Sequence, residues 1–492
     1  MTLLESHRSE AGVVDSSLSA AHRLEQLATL ARAERALLCY PDRPWTASRL
    51  APDGTAALDV LIVGGGQSGM AIAHGLARLG VTNVAVLDRS PDGLEGPWLT
   101  FARMSELRTP KSLNGLDFGQ PSLSVQRWFQ ARYGQAAWDD LGRISRTDWA
   151  AYLQWYRATL EIRIENETEV VDIGPAEIDG LVAVDTVVDG ERVVRYASTV
   201  VLASGFDGTG TWKVPAIITD ALPSDRYDHS NGRIEFDRLK GARVGVIGHG
   251  ASGFDNAVAA LRAGARSADL LFRRPALPTI NPHRHIETAG LMSNYQLLGE
   301  LTRWRIARHF QEVDQPPASS GYDAAHSLPG FAMHAGASLE SVTLENDVIR
   351  VETPRGVFRF DHLIAATGAV IDMAGIAALR SMTPAIALWA DRFAPPDGED
   401  DALLGSYPYL GPTYAFTPRF PGAADWVERV FAFNQLSYVS QGPHSTSISG
   451  HKWAVPRVVR GIGERLFLDS EDGIVDALRA YDEPDLILHE HR

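Results

Sequence analysis

Two stretches of this sequence carry glycines at the spacing that lets a backbone turn closely around a phosphate. They are VLIVGGGQSG, with Gly64, Gly66 and Gly69, and VGVIGHGASG, with Gly248, Gly250 and Gly253. In such a turn the first glycine permits the bend, the second lets the backbone approach a pyrophosphate, and the third permits close packing of helix on strand. The N-terminus of the following helix faces the negative charge. Each copy follows an apolar run and precedes an Ala-rich helical pattern, so both predict a dinucleotide-binding strand–turn–helix unit.

The residue that ends the second predicted strand differs between the two copies. Twenty-four positions after the first glycine stands Asp88 in the upstream copy and Phe272 in the downstream copy, where Arg273 and Arg274 follow. An acid here accepts hydrogen bonds from ribose hydroxyls, whereas two guanidiniums suit a 2′-phosphate by charge and by bidentate hydrogen bonding. The upstream copy therefore predicts an FAD or NAD site and the downstream copy an NADPH site. The alternative for the arginine pair is a solvated strand end, and Arg89 is read as a solvated or adenine-stacking neighbour.

Two dinucleotide sites in one chain imply that electrons pass from NADPH to a flavin and then to an acceptor. Disulfide reductases of this kind use a pair of redox cysteines, but Cys39 is the only cysteine in the sequence. That count argues against an internal redox pair, so molecular oxygen becomes the expected acceptor. A zinc cluster held by several thiolates is excluded for the same reason, and no metal site is predicted.

The composition indicates a soluble globular protein, because 45% of the residues are hydrophobic and only 22% are charged. The formal net charge of −15 argues against a nucleic-acid or anionic-membrane partner, which would need a basic patch. The first residues lack the basic head and apolar run of a signal peptide. No apolar stretch is long enough to cross a bilayer. We therefore expect a cytoplasmic protein.

The pattern of elements predicts an α/β fold with two Rossmann-like dinucleotide-binding domains, the FAD domain being split around an inserted NADPH domain. Apolar residues at helical spacing from Leu24 to Leu38 predict an N-terminal helical extension, and another helix is expected around Arg146–Leu160. The predicted divisions are the extension at 1–57, the first FAD part at 58–205 with an insertion at about 90–165, the NADPH domain at 206–368, the second FAD part at 369–466 and a C-terminal helix or tail at 467–492.

The order of motifs resembles the flavin-containing monooxygenases, which are class B flavoprotein monooxygenases. After the first glycine loop come EGPW (Glu95–Trp98), DHS (Asp228–Ser230), the second loop with its arginines, and AATG ending at Gly368. The resemblance covers roughly residues 58–465. It implies that NADPH reduces FAD, that reduced FAD and oxygen form a (hydro)peroxyflavin, and that one oxygen atom enters a small organic substrate at N, S or C.

The resemblance also implies which residues hold each cofactor. The FAD set, together with the neighbour Arg89, is Gly64, Gly66, Gln67, Gly69, Asp88, Trp98, Arg108, Lys111 and Gln435. The NADPH set is Gly248, Gly250, Ala251, Ser252, Gly253, Arg273, Arg274, Thr367 and Gly368. Gln435 lies in FNQLSYVSQGPHS, where the family brings a helix N-terminus to the flavin ring and so stabilises negative charge on the reduced flavin.

The sequence departs from the family pattern at two places. The Baeyer–Villiger fingerprint would align on His229, but Pro223, Asp225 and Arg233 stand in place of its Phe, Gly and aromatic residue. That departure argues against the oxidation of ketones to esters. Glu95 stands where many members have glycine, which is a lesser change.

Few residues can be nominated as catalytic, because the scheme implied by the resemblance does not itself call for an acid or base from the protein. His444 could steer a proton near the substrate; the alternative is a capping or packing role. Arg108 is a candidate contact of the flavin or its oxygen adduct, and Asn114 is a candidate polar neighbour of the flavin edge. His283 and His285 stand at alternate positions, but no third ligand accompanies them, so we interpret them as a solvated or pyrophosphate-facing loop.

The sequence therefore predicts an NADPH-dependent FAD monooxygenase that acts on a small molecule with molecular oxygen, as a monomer or a homodimer. The stretch MSELRTPKSLNGLDFG also resembles a bacterial branch sometimes labelled FAD-dependent urate hydroxylase, which makes a purine such as urate a candidate substrate. The alternatives are an NADPH-dependent flavin oxidase or reductase without oxygen insertion, a Baeyer–Villiger monooxygenase, and a cofactor-bound regulatory protein whose activity has lapsed.

Overall fold

The structure is a computed structural model that describes residues 19–112, 115–206, 208–212 and 214–486. Its strands are β1 (Leu58–Val63), β2 (Val84–Leu87), β3 (Thr168–Pro175), β4 (Val182–Val188), β5 (Glu191–Leu202), β6 (Gly210–Trp212), β7 (Tyr227–His229), β8 (Arg243–Ile247), β9 (Ser267–Phe272), β10 (Phe331–Ala335), β11 (Ser341–Glu345), β12 (Val348–Thr353), β13 (Gly356–Phe360), β14 (His362–Ala365), β15 (Ala369–Ile371) and β16 (Val430–Ala432).

The α-helices are α1 (Ala20–Leu37), α2 (Gln67–Arg78), α3 (Val125–Tyr133), α4 (Gln135–Asp140), α5 (Arg146–Leu160), α6 (Ala216–Thr219), α7 (Ala251–Arg262), α8 (His283–Ile286), α9 (Ala289–Asn294), α10 (Glu300–Val313), α11 (Ser319–His326), α12 (Ala377–Arg380), α13 (Trp389–Arg392), α14 (Ala402–Gly405), α15 (Tyr438–Gln441), α16 (His451–Leu468) and α17 (Glu471–Ala480).

The first sheet contains the strand that leads into the first glycine loop. Its strand order is β2-β1-β5-β4-β3, with β16 also paired to β5. β1 runs parallel to β2 and to the later part of β5, while the earlier part of β5 forms an antiparallel hairpin with β4. β16 pairs in parallel with residues 200–202 of β5. A segment from late in the chain therefore completes the sheet that the early segments begin.

The second sheet contains the strand that leads into the second glycine loop. Its order is β10-β9-β8-β14-β7, and all neighbouring strands are parallel. Val244, Val246, Leu270 and Ile364 are fully buried in it, as expected for parallel strands that are covered on both faces. The two sheets, each with a glycine loop and a following helix, confirm the predicted α/β fold with two Rossmann-like units.

Two short strands link the sheets. The chain leaves the first sheet after β5 and passes through β6, and it returns from the second sheet through β15. β6 and β15 pair antiparallel, with Trp212 opposite Ala369. Both crossings therefore run side by side. They lie next to the divisions expected at 205/206 and 368/369, which stay predictions.

The N-terminal extension contains a helix, as predicted. Ser19 begins α1 by accepting a hydrogen bond from the His22 backbone N–H at 3.3 Å. Ala28 and Ala31 are buried on the inner face of the helix, and the Arg23 side chain donates to the Ala131 carbonyl of α3 at 2.7 Å. The extension therefore packs on the insertion that follows β2.

The insertion is held together by a buried aromatic core. α5 covers the residues predicted for it, and Ser145 caps it by accepting from the Asp148 N–H at 3.0 Å. Trp128, Trp149 and Tyr152 are almost completely buried. Each buries a large apolar area, which explains how a segment rich in turns still forms a stable layer.

The last described helix, α17, lies at the surface, since none of its residues is buried. It follows α16, whose apolar residues Val455, Val458 and Ile462 pack into the first core. Across the described ranges, none of the helices combines the length and the hydrophobicity of a membrane-spanning segment.

Buried histidines should make the fold sensitive to acid. Burial lowers the pKa of His74 to about 3 and that of His451 to about 4. Because the unfolded pKa is near 6.5, the unfolded chain binds more protons below that pH, and stability should fall as pH drops from about 6.5 towards 4. Each group contributes roughly 1.4 kcal/mol per pH unit in that window. Thermal unfolding midpoints measured across it should fall less steeply in His74→Leu than in the native protein, whereas exposed His309→Gln should follow the native curve.

Candidate active site

Each glycine loop brings its first glycine against the carbonyl group that follows the neighbouring strand. Gly64 has φ 106° and Gly248 has φ 128°, a backbone region that favours glycine. A Cβ on Gly64 would lie 2.6 Å from the Ala203 carbonyl oxygen, and one on Gly248 would lie 2.3 Å from that of Ala366. Any other residue would force the loop and the strand end apart.

The third glycine of each loop closes the turn against the first. A Cβ on Gly69 would lie 1.9 Å from the Gly64 oxygen, and one on Gly253 would lie 2.5 Å from the Gly248 oxygen. The second glycines serve a different purpose, since a Cβ on Gly66 or Gly250 would meet nothing closer than 3.8 Å.

Both helices that follow the loops begin without a side-chain cap. Gly66 is the N-cap residue of α2 and Gly250 is that of α7, and neither helix start receives a side-chain hydrogen bond. The first N–H groups of each helix are therefore available to an anion. The open approach at the second glycine and the uncapped helix both fit a pyrophosphate, in the first loop and in the second.

Asp88, at the end of β2, is held against the first loop. The residue is 8% exposed, and its carboxylate accepts hydrogen bonds from the Gly65 N–H and the Ser90 N–H, each at 2.8 Å. One bond ties the acid to the loop and the other to the chain beyond it. This orientation places a fixed negative charge beside the first helix N-terminus.

Gln67 and Trp98 meet next to the first loop. Gln67 accepts a hydrogen bond from the Trp149 indole at 3.1 Å, and the ring of Trp98 stands edge-on to that of Trp149. Lys111 instead donates a hydrogen bond to the Trp138 carbonyl oxygen at 2.6 Å. Arg89 is exposed, and Asn114 lies outside the described residues.

The second loop is tied to the segment after α10. His249, inside the loop, lies 3.0 Å from the Asp314 carboxylate, and Arg274 donates to the Glu312 carbonyl at 3.0 Å. Burial would raise the pKa of Asp314, but its close contact with His249 brings it below its ordinary value. Arg273 is exposed at the end of β9. The sequence offered no signal for Asp314, because its partner His249 is 65 positions away.

The remaining predicted residues lie beside these loops. Ala251 and Ser252 form the first turn of α7, and Thr367 and Gly368 directly follow Ala366, the residue that faces Gly248. The Gly368 carbonyl lies 3.2 Å from His229 Nε2. Gln435 follows β16 and reaches Thr446 at 3.5 Å.

Arg108 extends from the insertion towards the second unit. Its guanidinium donates to the Pro316 carbonyl at 2.5 Å, and its own carbonyl accepts from Arg284 at 3.0 Å. Burial lowers the pKa of Arg108. Burial also raises the pKa of Asp255, in α7, to about 6, although the nearby charge of Arg108 opposes the rise. Arg108 therefore places a half-buried cation next to the helix of the second loop.

His444 lies in a cluster that the sequence did not reveal. Its Nε2 lies 2.9 Å from Glu287 Oε1 and 2.7 Å from Ser449 Oγ, and its Nδ1 lies 3.1 Å from His283 Nδ1. Arg284 donates to the other oxygen of Glu287 at 2.6 Å. We call His283, Glu287, His444 and Ser449 the junction cluster.

The charge states in the junction cluster follow from these contacts. Burial alone would raise the pKa of Glu287, but hydrogen bonds from His444 and Arg284 bring it down to about 2. Burial, with smaller contributions from the charges of His444 and Arg108, lowers the pKa of His283 to about 4. At neutral pH the cluster therefore contains an ionised Glu287 and a neutral His283.

The junction cluster is connected to the first loop through His451. His444 and His451 belong to one turn, because the Ser447 carbonyl accepts from His451 Nδ1 at 2.5 Å and the His444 carbonyl accepts from Ser447 Oγ at 2.8 Å. His451 Nε2 lies 3.0 Å from Ser68 Oγ, in the first turn of α2. The cluster thus lies between the first loop, reached through His451, and Arg108, which faces the helix of the second loop.

Comparisons with known proteins agree with this architecture. A family model described as pyridine nucleotide-disulphide oxidoreductase matches residues 61–288. The FAD-dependent urate hydroxylase of Xanthomonas campestris pv. campestris is 40% identical over 465 residues, which is 93% of this chain and 98% of that relative.

Two solved structures share the fold. Ornithine hydroxylase from Pseudomonas aeruginosa superposes with a TM-score of 0.66 at 19% identity, over 83% of this chain and 100% of that chain. Ornithine N-hydroxylase from Kutzneria sp. 744, solved with reduced FAD, NADP⁺ and L-ornithine, gives 0.64 at 16% identity, over 83% and 99%.

The second and third glycines of the second loop should respond differently to the same substitution. Gly253→Ala should lower the free energy of unfolding by about 1–3 kcal/mol, because the added methyl group overlaps the Gly248 carbonyl. Gly250→Ala should cost less, about 0.5–1 kcal/mol, since nothing lies within 4 Å of the new Cβ and only the poorer capping by Ala acts there. Thermal unfolding of both variants without added nucleotide measures the difference. Equal losses of stability would contradict the steric account.

Proposed function

Because this chain belongs to the class B flavoprotein monooxygenases, we propose that it hydroxylates a small organic substrate with FAD, NADPH and molecular oxygen. FAD, when bound, would supply the redox chemistry, namely hydride acceptance from NADPH and activation of oxygen, one atom of which would enter the substrate while the other left as water. The observation that carries this proposal is the pair of open glycine loops with a polar cluster between them.

FAD is assigned to the first loop. The uncapped start of α2 after Gly66 would hold the pyrophosphate, and Asp88 would accept hydrogen bonds from the ribose hydroxyls. Asp88 is already oriented by two backbone N–H groups, so its carboxylate needs no rearrangement to accept further hydrogen bonds. Gln67 and Trp98 form a wall beside the loop.

NADPH is assigned to the second loop. The start of α7 after Gly250 takes the pyrophosphate, and Arg273 and Arg274 at the end of β9 take the 2′-phosphate. Arg274 donates one hydrogen bond to the Glu312 backbone carbonyl and lies 3.9 Å from Asp314. Its other N–H groups are therefore available to a phosphate. Thr367 and Gly368 lie where the chain returns to the first sheet.

A purine such as urate is the substrate that we propose. The support is the name of the 40% identical relative and the chemistry of the residues between the loops. Urate is planar, presents several N–H donors and carbonyl acceptors, and carries negative charge near neutral pH. Arg108 and Arg284 supply positive charge beside the junction cluster, and His283 and His444 supply ring nitrogens.

The proposal also covers the co-substrate, the cellular compartment and the oligomeric state. The substrate is a small molecule and the co-substrate is oxygen, and we propose that the protein acts in the cytoplasm as a monomer or a homodimer.

The positions at which the sequence departs from the Baeyer–Villiger fingerprint support hydroxylation over ketone oxidation. His229 lies at the link between the sheets, against Gly368 and the ring of Trp212.

The central test follows the flavin and the oxygen separately. Anaerobic NADPH should bleach the yellow colour of the FAD-loaded protein. Admission of oxygen with urate should then yield one hydroxylated product for each NADPH consumed. Peroxide equal to the NADPH consumed, whatever compound is added, would instead identify an oxidase. A flavin that NADPH does not reduce would contradict the proposal as a whole.

The arginine pair should set the choice between NADPH and NADH. Arg273→Ala and Arg274→Ala should each lower kcat/KM for NADPH by roughly 10- to 100-fold, because each removes a charged hydrogen bond to the 2′-phosphate. The values for NADH should stay near those of the native protein, since NADH has no such phosphate. Arg266→Ala is the matched control, because Arg266 is exposed at the opposite end of the same strand. A native preference for NADH would rule out the assignment.

A further inference from the structure

The hydrogen bonds of the junction cluster determine which ring nitrogens carry protons. Glu287 is ionised, and an ionised carboxylate only accepts hydrogen bonds. His444 Nε2, 2.9 Å from Glu287 Oε1, must therefore be a donor. When His444 is neutral its Nδ1 has no proton, so it accepts from His283 Nδ1 at 3.1 Å. His283 then has an unprotonated Nε2.

His283 Nε2 is the open end of this chain of bonds. Within the described residues its only side-chain hydrogen bond is the one from Nδ1 to His444, and the residue is half-buried. One side of the ring packs edge-on against Phe310 of α10, with the ring centroids 4.8 Å apart. The charged groups around it are His444 and Glu287 within the cluster, Arg284 on α8 and Arg108 from the insertion.

The other end of this hydrogen-bond chain, at His444, can stabilise a proton. An imidazolium at His444 would face the Glu287 carboxylate, whose second oxygen is paired with Arg284 at 2.6 Å. Ser449 Oγ lies 2.7 Å from His444 Nε2 and 3.3 Å from Glu287 Oε1. The ring of His444 is thus fixed in orientation, which a directed proton transfer requires.

We propose that His283 is a catalytic base that removes an N–H proton from a heterocyclic substrate of the purine class and passes it to His444. The substrate N–H bond breaks, its electron pair stays on the ring, and a new N–H bond forms at His283 Nε2. The proton on His283 Nδ1 moves to His444 Nδ1. His283 ends neutral, and His444 ends as an imidazolium paired with Glu287, which acts as a positioning residue. The proton returns to solvent when the product leaves.

This inference rests on the proposed function and explains why a hydroxylase of a purine would need such a group. Oxygen transfer to a ring carbon requires that carbon to be electron-rich. Loss of an N–H proton leaves an electron pair that the ring shares with its carbons, so deprotonation favours the transfer. A substrate oxidised on an amine nitrogen needs only a free lone pair and would have no use for a two-histidine relay.

The experiment separates flavin reduction from hydroxylation. His283→Gln and His444→Gln should bind FAD and be reduced by NADPH at rates within about threefold of the native protein, because neither residue belongs to the glycine loops. Their rate of urate hydroxylation should fall about 100-fold or more, the usual contribution of a general base, with NADPH consumption diverted to peroxide. His285→Gln is the matched control, since His285 is exposed two positions from His283.

Two further measurements exclude a merely structural effect. Imidazole added to His283→Ala should restore hydroxylation, in proportion to the unprotonated imidazole present. Urate bound to the oxidised native enzyme without NADPH should show the ultraviolet spectrum of the more deprotonated form, and urate bound to His444→Gln should not. This spectrum is recorded without turnover, so it reports the proton transfer from urate independently of the oxygen chemistry.

The outcomes distinguish the relay from the proposed function. Native-like hydroxylation by His283→Gln overturns the relay and leaves the monooxygenase function intact. Flavin reduction by NADPH without any hydroxylation of urate by the native enzyme overturns the substrate class inferred here. A failure of NADPH to reduce the flavin at all overturns the proposed function instead.

Discussion

Each half of the protein depends on one close contact, between the first glycine of a loop and the carbonyl that follows a neighbouring strand. The contact joins Gly64 to Ala203 in the first unit and Gly248 to Ala366 in the second. It brings the start of the helix to the carboxyl ends of the parallel strands, so the unpaired N–H groups of that helix point out of the sheet edge. The same glycine–carbonyl contact thus builds both anion-binding helix starts. The residues that make one cofactor site differ from the other must therefore lie outside the loops.

Three carboxylates close to the two loops are held by defined partners. Asp88 accepts from two backbone N–H groups, Asp314 is paired with His249, and Glu287 is paired with His444 and Arg284. A buried carboxylate without such partners would be strongly destabilising. The pairing orients these carboxylates, and it leaves the helix starts themselves unoccupied by side chains. The polar groups between the units therefore stay organised.

The sequence predicted most of what depends on neighbours along the chain. Both loops, helix α5 and the N-terminal helix lie where the glycine spacing and the apolar periodicity indicated. Local patterns were less informative about isolated polar residues. For His283 and His285 the sequence indicated a solvated or a pyrophosphate-facing loop. The solvated alternative is wrong for His283, because its ring packs on Phe310 and hydrogen-bonds to His444, whereas His285 is exposed.

The sequence by itself determined the two dinucleotide units and the difference between Asp88 and the Arg273–Arg274 pair. These features are readable because glycine spacing and strand length act over a few tens of residues. Only the tertiary structure decided that His444 meets His283 and Glu287, which stand 161 and 157 positions away. That meeting requires the late segment with β16 to return to the first sheet and the loop before α8 to reach across from the second. No periodicity along the chain predicts this contact, since it depends on how the two sheets face each other.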